Sequence, residues 1–293
     1  MAMSLALLHT GARISLVQFS VHPSTVIGIA ALAGLYEYGA RKTMGDGRGA
    51  IGGDQAAAHR PITTGHQRLL FHGALVILFF SLNGWLHDLS DSYLFSAHMV
   101  QHLLLAFVVA PLLLMGVSGD MLRPLIRPTP VRRLAEWTLK PTRCFAIFNV
   151  VLGGWHLPPL YNYALAHHPA HIVMHLMILA ASVVMWWPVL SPLPELPRLS
   201  YPGQMLYLFL MSIPMAIISV YIAYSDSILY PMYASAPRVW AISPMSDQMI
   251  GGLIMWIPGG LFFYTVISVV FFRWNQRGAE DSQAGAQVDW RPV

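Results

Sequence analysis

The chain has 293 residues and a net charge of +4, and its composition excludes a water-soluble globular protein of this length. The residue types AVILMFWYC make up 56 % of it and charged residues only 10 %, whereas about a quarter of a soluble domain is charged. The mean hydropathy of +0.55 agrees with this. Most of the chain therefore meets lipid, which excludes a cytosolic globular enzyme. The basic residues are spread over short loops, so no nucleic-acid partner is expected.

Seven segments are predicted to cross a membrane as helices, which gives an all-α, polytopic membrane helix bundle. A crossing helix needs about 20 mostly apolar residues, and runs such as LLLAFVVAPLLLMG lack the period-two alternation of barrel strands. We expect a single seven-helix transmembrane domain over residues 1–274 and a polar, disordered cytoplasmic tail over 275–293. The predicted spans one to seven are 22–40, 66–86, 93–117, 143–163, 170–190, 203–225 and 247–272.

Arginine and lysine lie almost entirely on one side of these spans. Fifteen of the 17 occur in the segments 41–68 and 118–143, between spans five and six, or after span seven, and the other side has only Arg13 and Arg238. The positive-inside rule then predicts an outside N-terminus and a cytoplasmic C-terminus. The first 23 residues are not expected to be a signal peptide, because their apolar run SLALL is short and precedes the first basic residue.

Eight of the 13 histidines fall in the outer half of the predicted bundle. His98 and His102 lie in the first turns of span three, and His171 and His175 lie in the first turns of span five. Residues four apart share one helix face at about 6 Å of rise, so each pair can hold one metal ion. Because both helices enter from the same side, the two pairs predict a four-imidazole metal site.

Asp247 begins span seven at the same level and is a fifth candidate ligand, although it could equally cap that helix. Imidazole suits zinc, copper and iron, while thioether groups select monovalent copper. Copper is therefore the expected metal, with another transition metal as the alternative. Haem is a minor alternative, and neither pair contains the glutamate of an HExxH protease. The methionines that favour copper are Met99, Met174, Met177, Met232, Met245 and Met249.

The other histidines are interpreted mainly as amphipathic anchors at the membrane interface. His156 is left open between a metal role and a hydrogen bond at the Pro158–Pro159 break. The single cysteine, Cys144, is interpreted as a small apolar packing residue. The histidines interpreted as anchors are His22, His66, His72, His87, His167 and His168.

Four stretches of the membrane portion form an ordered set of motifs. They are AHMVQHLLLAFVVAPLLLMG, GGWHLPPLYNYAL, the HxxxH helix that ends in WWPVL, and DQMIGGLIMWIPGG. Over about residues 65–272 this set resembles the bacterial caa3-type cytochrome c oxidase assembly factor family, CtaG. The resemblance implies a polytopic inner-membrane protein that helps copper reach a haem–copper oxidase. The metal-site positions that match are His98, His102, His171, His175 and Asp247.

The sequence thus predicts an assembly factor of the bacterial inner membrane that binds copper transiently near the outer face. It is not expected to be an enzyme. Its expected partners are cytochrome c oxidase subunits, a periplasmic copper donor and membrane lipid. One alternative is a histidine-box di-metal oxidase related to desaturases and hydroxylases. The other alternative is a copper permease, although the inner halves of spans three and five offer no polar or thiol groups.

Overall fold

The computed structural model describes residues 19–46, 63–238 and 240–288, with only the backbone given for 42–46 and 279–288. All regular elements within these ranges are helices, so the predicted all-α class is confirmed. The expectation about a signal peptide concerns residues 1–23, of which 1–18 lie outside the described ranges. Several residues used in the charge and histidine counts also lie outside them: Arg13, Arg48, His59, Arg60 and Arg291.

The helices are numbered here in chain order. A π-helical stretch over Leu104–Val109 joins α4 to α5 without a break in the helix axis, so these two elements act as one. The bounds are α1 Pro23–Asp46, α2 Gly65–Leu82, α3 Trp85–Ser92, α4 Phe95–Leu103, α5 Ala110–Gly116, α6 Gly119–Ile126, α7 Thr129–Thr138, α8 Pro141–His156, α9 Pro158–Ala166, α10 His168–Leu190, α11 Tyr201–Ala223, α12 Pro231–Ser235 and α13 Pro244–Val288.

Five helices of the described ranges are long and apolar enough to cross a membrane. They are α2, the continuous α4–α5, α10, α11 and the Pro244–Gly278 part of α13, and they correspond to predicted spans two, three, five, six and seven. The full count of seven spans stays a prediction. In the structure α13 continues past Trp274 to Val288, and the expected disorder of 275–293 likewise stays a prediction.

Predicted span four is divided into two helices. The first, α8, ends at His156, and Leu157 is extended with φ −65° and ψ 129°. A residue before proline is driven out of the helical region, and here Pro158 and Pro159 follow directly. The chain then resumes as α9, where proline is favoured in the first turn. The break stops α8 at the level of the histidine pairs and leaves His156 pointing into the bundle.

Two glycines bring the first turns of α13 against its neighbours. A Cβ atom at Gly252 would lie 2.7 Å from the backbone nitrogen of Ala223 and 2.8 Å from the carbonyl oxygen of Ser219, both on α11. A Cβ atom at Gly251 would collide with the Phe95 ring of α4. Small residues allow such close helix approach in membranes, as the sequence predicts here. The start of α13 is thereby held beside the start of α4.

The residues before α1 fold over the corner between α2 and α3. Gly84 turns this corner with φ +69°, and its N–H donates to the carbonyl of Ser20 at 2.8 Å. A side chain at Gly84 would collide with the ring of Phe19, which packs against Phe79 and Phe80. The corner therefore fixes the segment that leads into α1.

The buried interior is apolar at one end of the bundle and rich in histidine at the other. Around the start of α4, α10 and α13 the buried side chains include six histidines, and at the other end the interior is packed mainly by apolar groups. Cys144 is fully buried there, in agreement with a packing role. The apolar end contains Phe107, Leu114, Cys144, Phe148, Trp186, Met211 and Phe263.

Candidate metal centre

The two predicted histidine pairs meet in the interior. Within each pair, His98 with His102 and His171 with His175, the ring centres are 4.4 Å apart. The ring of His98 lies 5.3 Å from each of His171 and His175. All four side chains are buried, with 0 to 7 % of their surface exposed. The structure thus brings together the four histidines that the spacing singled out, and their metal ligation stays a prediction.

His156 joins this group from the end of α8. Its ring centre lies 5.4 Å from that of His102, and its exposed fraction is 2 %. Its Nδ1 lies 2.6 Å from the carbonyl oxygen of Leu152, which can only accept, so Nδ1 carries the hydrogen. Nε2 is then an unprotonated ligand atom inside the cluster. The hydrogen bond of His156 is made one turn before the Pro158–Pro159 break rather than at it, and a metal role for His156 stays a prediction.

The ligand atoms form two overlapping groups. His98, His102 and His175 make one, and Asp91, His98 and His171 make the other; within each group the ligand atoms lie within 4.8 Å of one another. Because His98 belongs to both, an ion held in one group is adjacent to the other. The arrangement can hold a metal ion in either of two neighbouring positions.

Four buried ring nitrogens of the cluster have no hydrogen-bond partner. An unsatisfied buried polar atom costs about 1–3 kcal/mol, and most buried polar groups in proteins are paired. Histidines that served only to stabilise the fold would be expected to satisfy both nitrogens. A transition-metal ion that binds imidazole would satisfy these lone pairs, so the residues fit such an ion. The four atoms are Nδ1 of His102 and Nε2 of His156, His171 and His175.

A tyrosine fixes the tautomer of His98. The Tyr233 hydroxyl donates to the carbonyl of Ser90 at 2.7 Å, so its oxygen accepts from His98 Nδ1 at 3.1 Å. Nδ1 of His98 therefore carries the hydrogen, and Nε2 is left as a ligand atom. That Nε2 lies 2.8 Å from Nε2 of His102. Outer partners of this kind orient metal-binding histidines and set which nitrogen is free.

Asp91 orients two further histidines, and the sequence reasoning missed it. Its Oδ2 lies 3.4 Å from Nδ1 of His171 and 3.3 Å from Nε2 of His87. A carboxylate on Nδ1 leaves Nε2 of His171 free for a metal, which is the carboxylate–histidine–metal pattern. His87 is only 6 % exposed, so the prediction that it is an anchor at the membrane interface is wrong. The i, i+4 spacing of His87 and Asp91 was the available signal.

The protonation states of His87 and Asp91 favour metal binding by the neighbouring histidines. Burial lowers the pKa of His87, with Asp91 acting in the opposite direction, so the neutral imidazole is favoured. Burial alone would raise the pKa of Asp91, but its hydrogen bond with His171 and the neighbouring imidazoles outweigh that effect and lower it. A neutral imidazole beside an ionised carboxylate is the protonation state that metal binding requires.

Asp247 lies against the start of α4 and contacts its backbone. Its Oδ2 accepts from the Phe95 N–H at 2.7 Å and its Oδ1 from the Ser96 N–H at 3.1 Å. It therefore caps α4, the neighbouring helix, rather than its own helix. Both oxygens are engaged, and its assignment as a metal ligand stays a prediction.

The methionines do not converge on the cluster as a group. Met99 and Met174 are buried near it, whereas the other four have at least 38 % of their surface exposed. His72 lies elsewhere in the fold and contacts Glu37 at 3.1 Å. The exposed four are Met177, Met232, Met245 and Met249.

Comparison with known proteins gives the family. The sequence model of the cytochrome c oxidase caa3 assembly factor matches residues 52–277. The chain belongs to this family. It is also 26 % identical over 207 residues to the uncharacterized protein Mb0105 of Mycobacterium bovis and to MT0111 of Mycobacterium tuberculosis. Each of these matches covers 64 % of this chain and only 31 % of the relative, so the chain spans about a third of their length. No solved structure matches.

Proposed function

We propose that this assembly factor binds copper transiently at the histidine cluster and helps to metallate the caa3-type oxidase. The proposal rests on four buried histidine ring nitrogens that have no hydrogen-bond partner. Copper and the other late transition metals bind neutral imidazole, and the cluster offers no thiolate. A site of imidazoles alone retains an ion without the tight hold of thiolates. Such a site suits a carrier that must also release its cargo.

The proposed membrane arrangement has seven spans, with α1 and the α8–α9 pair added to the five long apolar helices. The cluster lies where α4, α10 and α13 begin, and the arginine-rich α6 and α7 follow the other end of α4–α5. By the positive-inside rule the arginine-rich end is cytoplasmic. The cluster is then near the outer face of a bacterial inner membrane, where a periplasmic donor could supply copper.

The apolar interior beyond the cluster supports a carrier rather than a permease. A pore would need ligating groups that continue to the cytoplasmic end. The buried side chains described there are mainly apolar, and the buried polar ones, such as Ser182 and Gln204, donate to backbone carbonyls. The one thiol, Cys144, is fully buried with its Sγ 3.6 Å from the carbonyl of Thr138. Copper would thus enter and leave the cluster on the same side, and no chemical conversion is assigned to it.

The test is metal analysis of the purified full chain after exposure to Cu(I). We expect stoichiometric copper in the wild type and a large loss in the variant H98A/H102A/H171A/H175A. The matched control is H66A/H167A, because both of these histidines are exposed. Equal copper in the wild type and the quadruple variant would contradict the proposed site. Oxidase activity in cells that carry the quadruple variant should fall in parallel.

A further inference from the structure

A pocket of about 220 Å³ lies beside the cluster, between α1, α2 and α10. Most of its wall is aliphatic, but His22, His87, His168, His171 and His175 all line it. His168 is exposed and His22 is half-buried, whereas His87 and His171 are buried. The pocket therefore connects the surface at the outer end of α1 with the interior of the bundle.

The imidazoles along this pocket form an unbroken series. The ring centres of His168 and His22 are 6.0 Å apart, those of His22 and His87 are 4.5 Å apart, and those of His87 and His171 are 6.2 Å apart. His171 is in turn 4.4 Å from His175 in the cluster. Both ring nitrogens of His87 have partners, Nε2 with Asp91 at 3.3 Å and Nδ1 with Gln101 at 3.2 Å, so His87 lines the path without binding the ion. His171 and His175 each have a buried Nε2 without a hydrogen-bond partner, and both line the pocket.

The position of His22 is fixed by its own local structure. Its backbone N–H donates to Oδ1 of Asn83 at 2.7 Å, and Ser20 donates to the carboxylate of Asp88. These contacts hold the segment before α1 over the corner at Gly84. An amphipathic anchor would turn its ring towards the membrane interface, whereas the ring of His22 stands edge-on against His87. The segment thus closes one side of the pocket with an imidazole.

We propose that this pocket is the loading mouth of the copper site. Copper reaches His22 and His168 first and passes along the pocket to His171 and His175, which line the same pocket and belong to the cluster. Each transfer is a ligand exchange: one copper–nitrogen bond forms as another breaks, and the oxidation state of copper does not change. The aliphatic wall keeps water from the ion during the passage. This inference rests on the proposed function and adds the route by which the cargo arrives.

Obstruction of the pocket is the first test. Gly28 lines the pocket and Gly34 lies on the same helix outside it, and a Cβ atom at either position meets no atom within 4 Å. Cu(I) is offered to the purified chain in detergent from a coloured chelator complex, and loss of the colour is followed by stopped flow. We expect G28L to load at least about tenfold more slowly than the wild type, a barrier increase of about 1.4 kcal/mol, and G34L to load normally.

Removal of the mouth histidines is the second test, with the same probe. The variant H22A/H168A should load more slowly but reach the same final copper stoichiometry, and H167A, at an exposed histidine outside the pocket, should match the wild type. If both G28L and H22A/H168A load copper at the wild-type rate, copper does not enter through this pocket, and the proposed function is unaffected. A wild-type chain that takes up no copper would overturn the proposed function and the mouth together.

Discussion

At the scale of single residues, the function of the cluster depends on which nitrogen of each histidine is free. His98, His156 and His171 each have Nδ1 tied to a different partner: a tyrosine hydroxyl, a backbone carbonyl and a carboxylate. Each partner leaves Nε2 as the ligand atom. The cluster is thereby organised for an ion before the ion arrives, which reduces the cost of ordering ligands on binding.

Asp91 is the residue whose replacement tests this organisation most directly. D91N keeps the size of the side chain but loses the negative charge that faces His171 and His87, both of which contact Oδ2 of Asp91. Loss of such an outer partner typically lowers metal affinity by about 10–100-fold, and we expect a reduction in this range for Cu(I). Competition with a chelator measures it.

The control for D91N is D88N, on the same short helix, because Asp88 contacts Ser20 rather than a cluster histidine. We expect D88N to bind Cu(I) with the affinity of the wild type. Equal affinity in D91N and the wild type would show that Asp91 does not support the ligands.

At the scale of helices, the histidine cluster forms because the ends of four helices meet at the same depth in the bundle. The starts of α4 and α10 supply the two pairs, the proline break ends α8 at His156, and α3 places Asp91 beside them. Gln101 links these parts, since its Nε2 donates to the carbonyl of Ser81 at 2.6 Å and its Oε1 accepts from Ser90 at 2.9 Å. A buried amide that is satisfied in this way fixes the register of α2, α3 and α4.

Asp247 tests whether the start of α13 contributes structure or ligation. D247N removes the charge and one of the two acceptors that cap α4, so we expect the melting temperature in detergent to fall. Loss of a helix cap costs about 0.5–2 kcal/mol. Copper stoichiometry should stay at the wild-type value, and D226N, at an exposed aspartate on a nearby loop, should change neither quantity. A variant with normal stability and reduced copper would instead make Asp247 a ligand.

Much of this arrangement could be predicted from periodicity and spacing, and some of it could not. The five long apolar helices and the convergence of the two pairs follow from hydropathy and from the i, i+4 rule. The i, i+4 spacing of His87 and Asp91 indicates only that the two side chains share a face of one helix. The contact of Asp91 with His171 depends on how α3 packs beside α4 and α10, which is a tertiary contact that no local pattern encodes. For the same reason the cap from Asp247 to α4 was missed: its partners are 151 and 152 residues away in the chain.

At the scale of the whole molecule, the bundle has one polar end and one apolar end. The cluster and its pocket are at the first, and the second is filled by aromatic and aliphatic side chains. Among the described residues, the groups that can ligate a metal are gathered at the first end, which suits a site that receives and returns a cargo on one side. This polarity makes the direction of insertion decisive for the proposed function.

The orientation is tested by reporter fusions. A reporter placed after Trp274 should be cytoplasmic, and one inserted in 161–169 should be external, because the arginine-rich segments lie on the side of Trp274. The insertion point suits the experiment, since Ala166 and His167 between α9 and α10 are exposed. A cytoplasmic 161–169 segment would place the cluster away from a periplasmic donor and would favour a histidine-box oxidase.

The dependence of the oxidase on copper supply is the prediction that separates delivery from other modes of assembly. A delivery factor raises the local availability of copper, so mass action should compensate in part for its loss when external copper is raised. We expect a deletion strain to have low oxidase activity at scarce copper and to recover part of it at excess copper. The strain complemented with the wild-type gene should change little over the same range.

The quadruple histidine variant is the decisive companion strain in this experiment. If the cluster carries the copper, that variant should follow the deletion strain at every copper concentration while remaining in the membrane in normal amount. A product-forming enzyme would leave a deficit that copper cannot relieve, because copper does not replace a missing product. A deficit of constant size across the copper series would therefore contradict delivery and point to haem insertion or to stabilisation of an oxidase subunit.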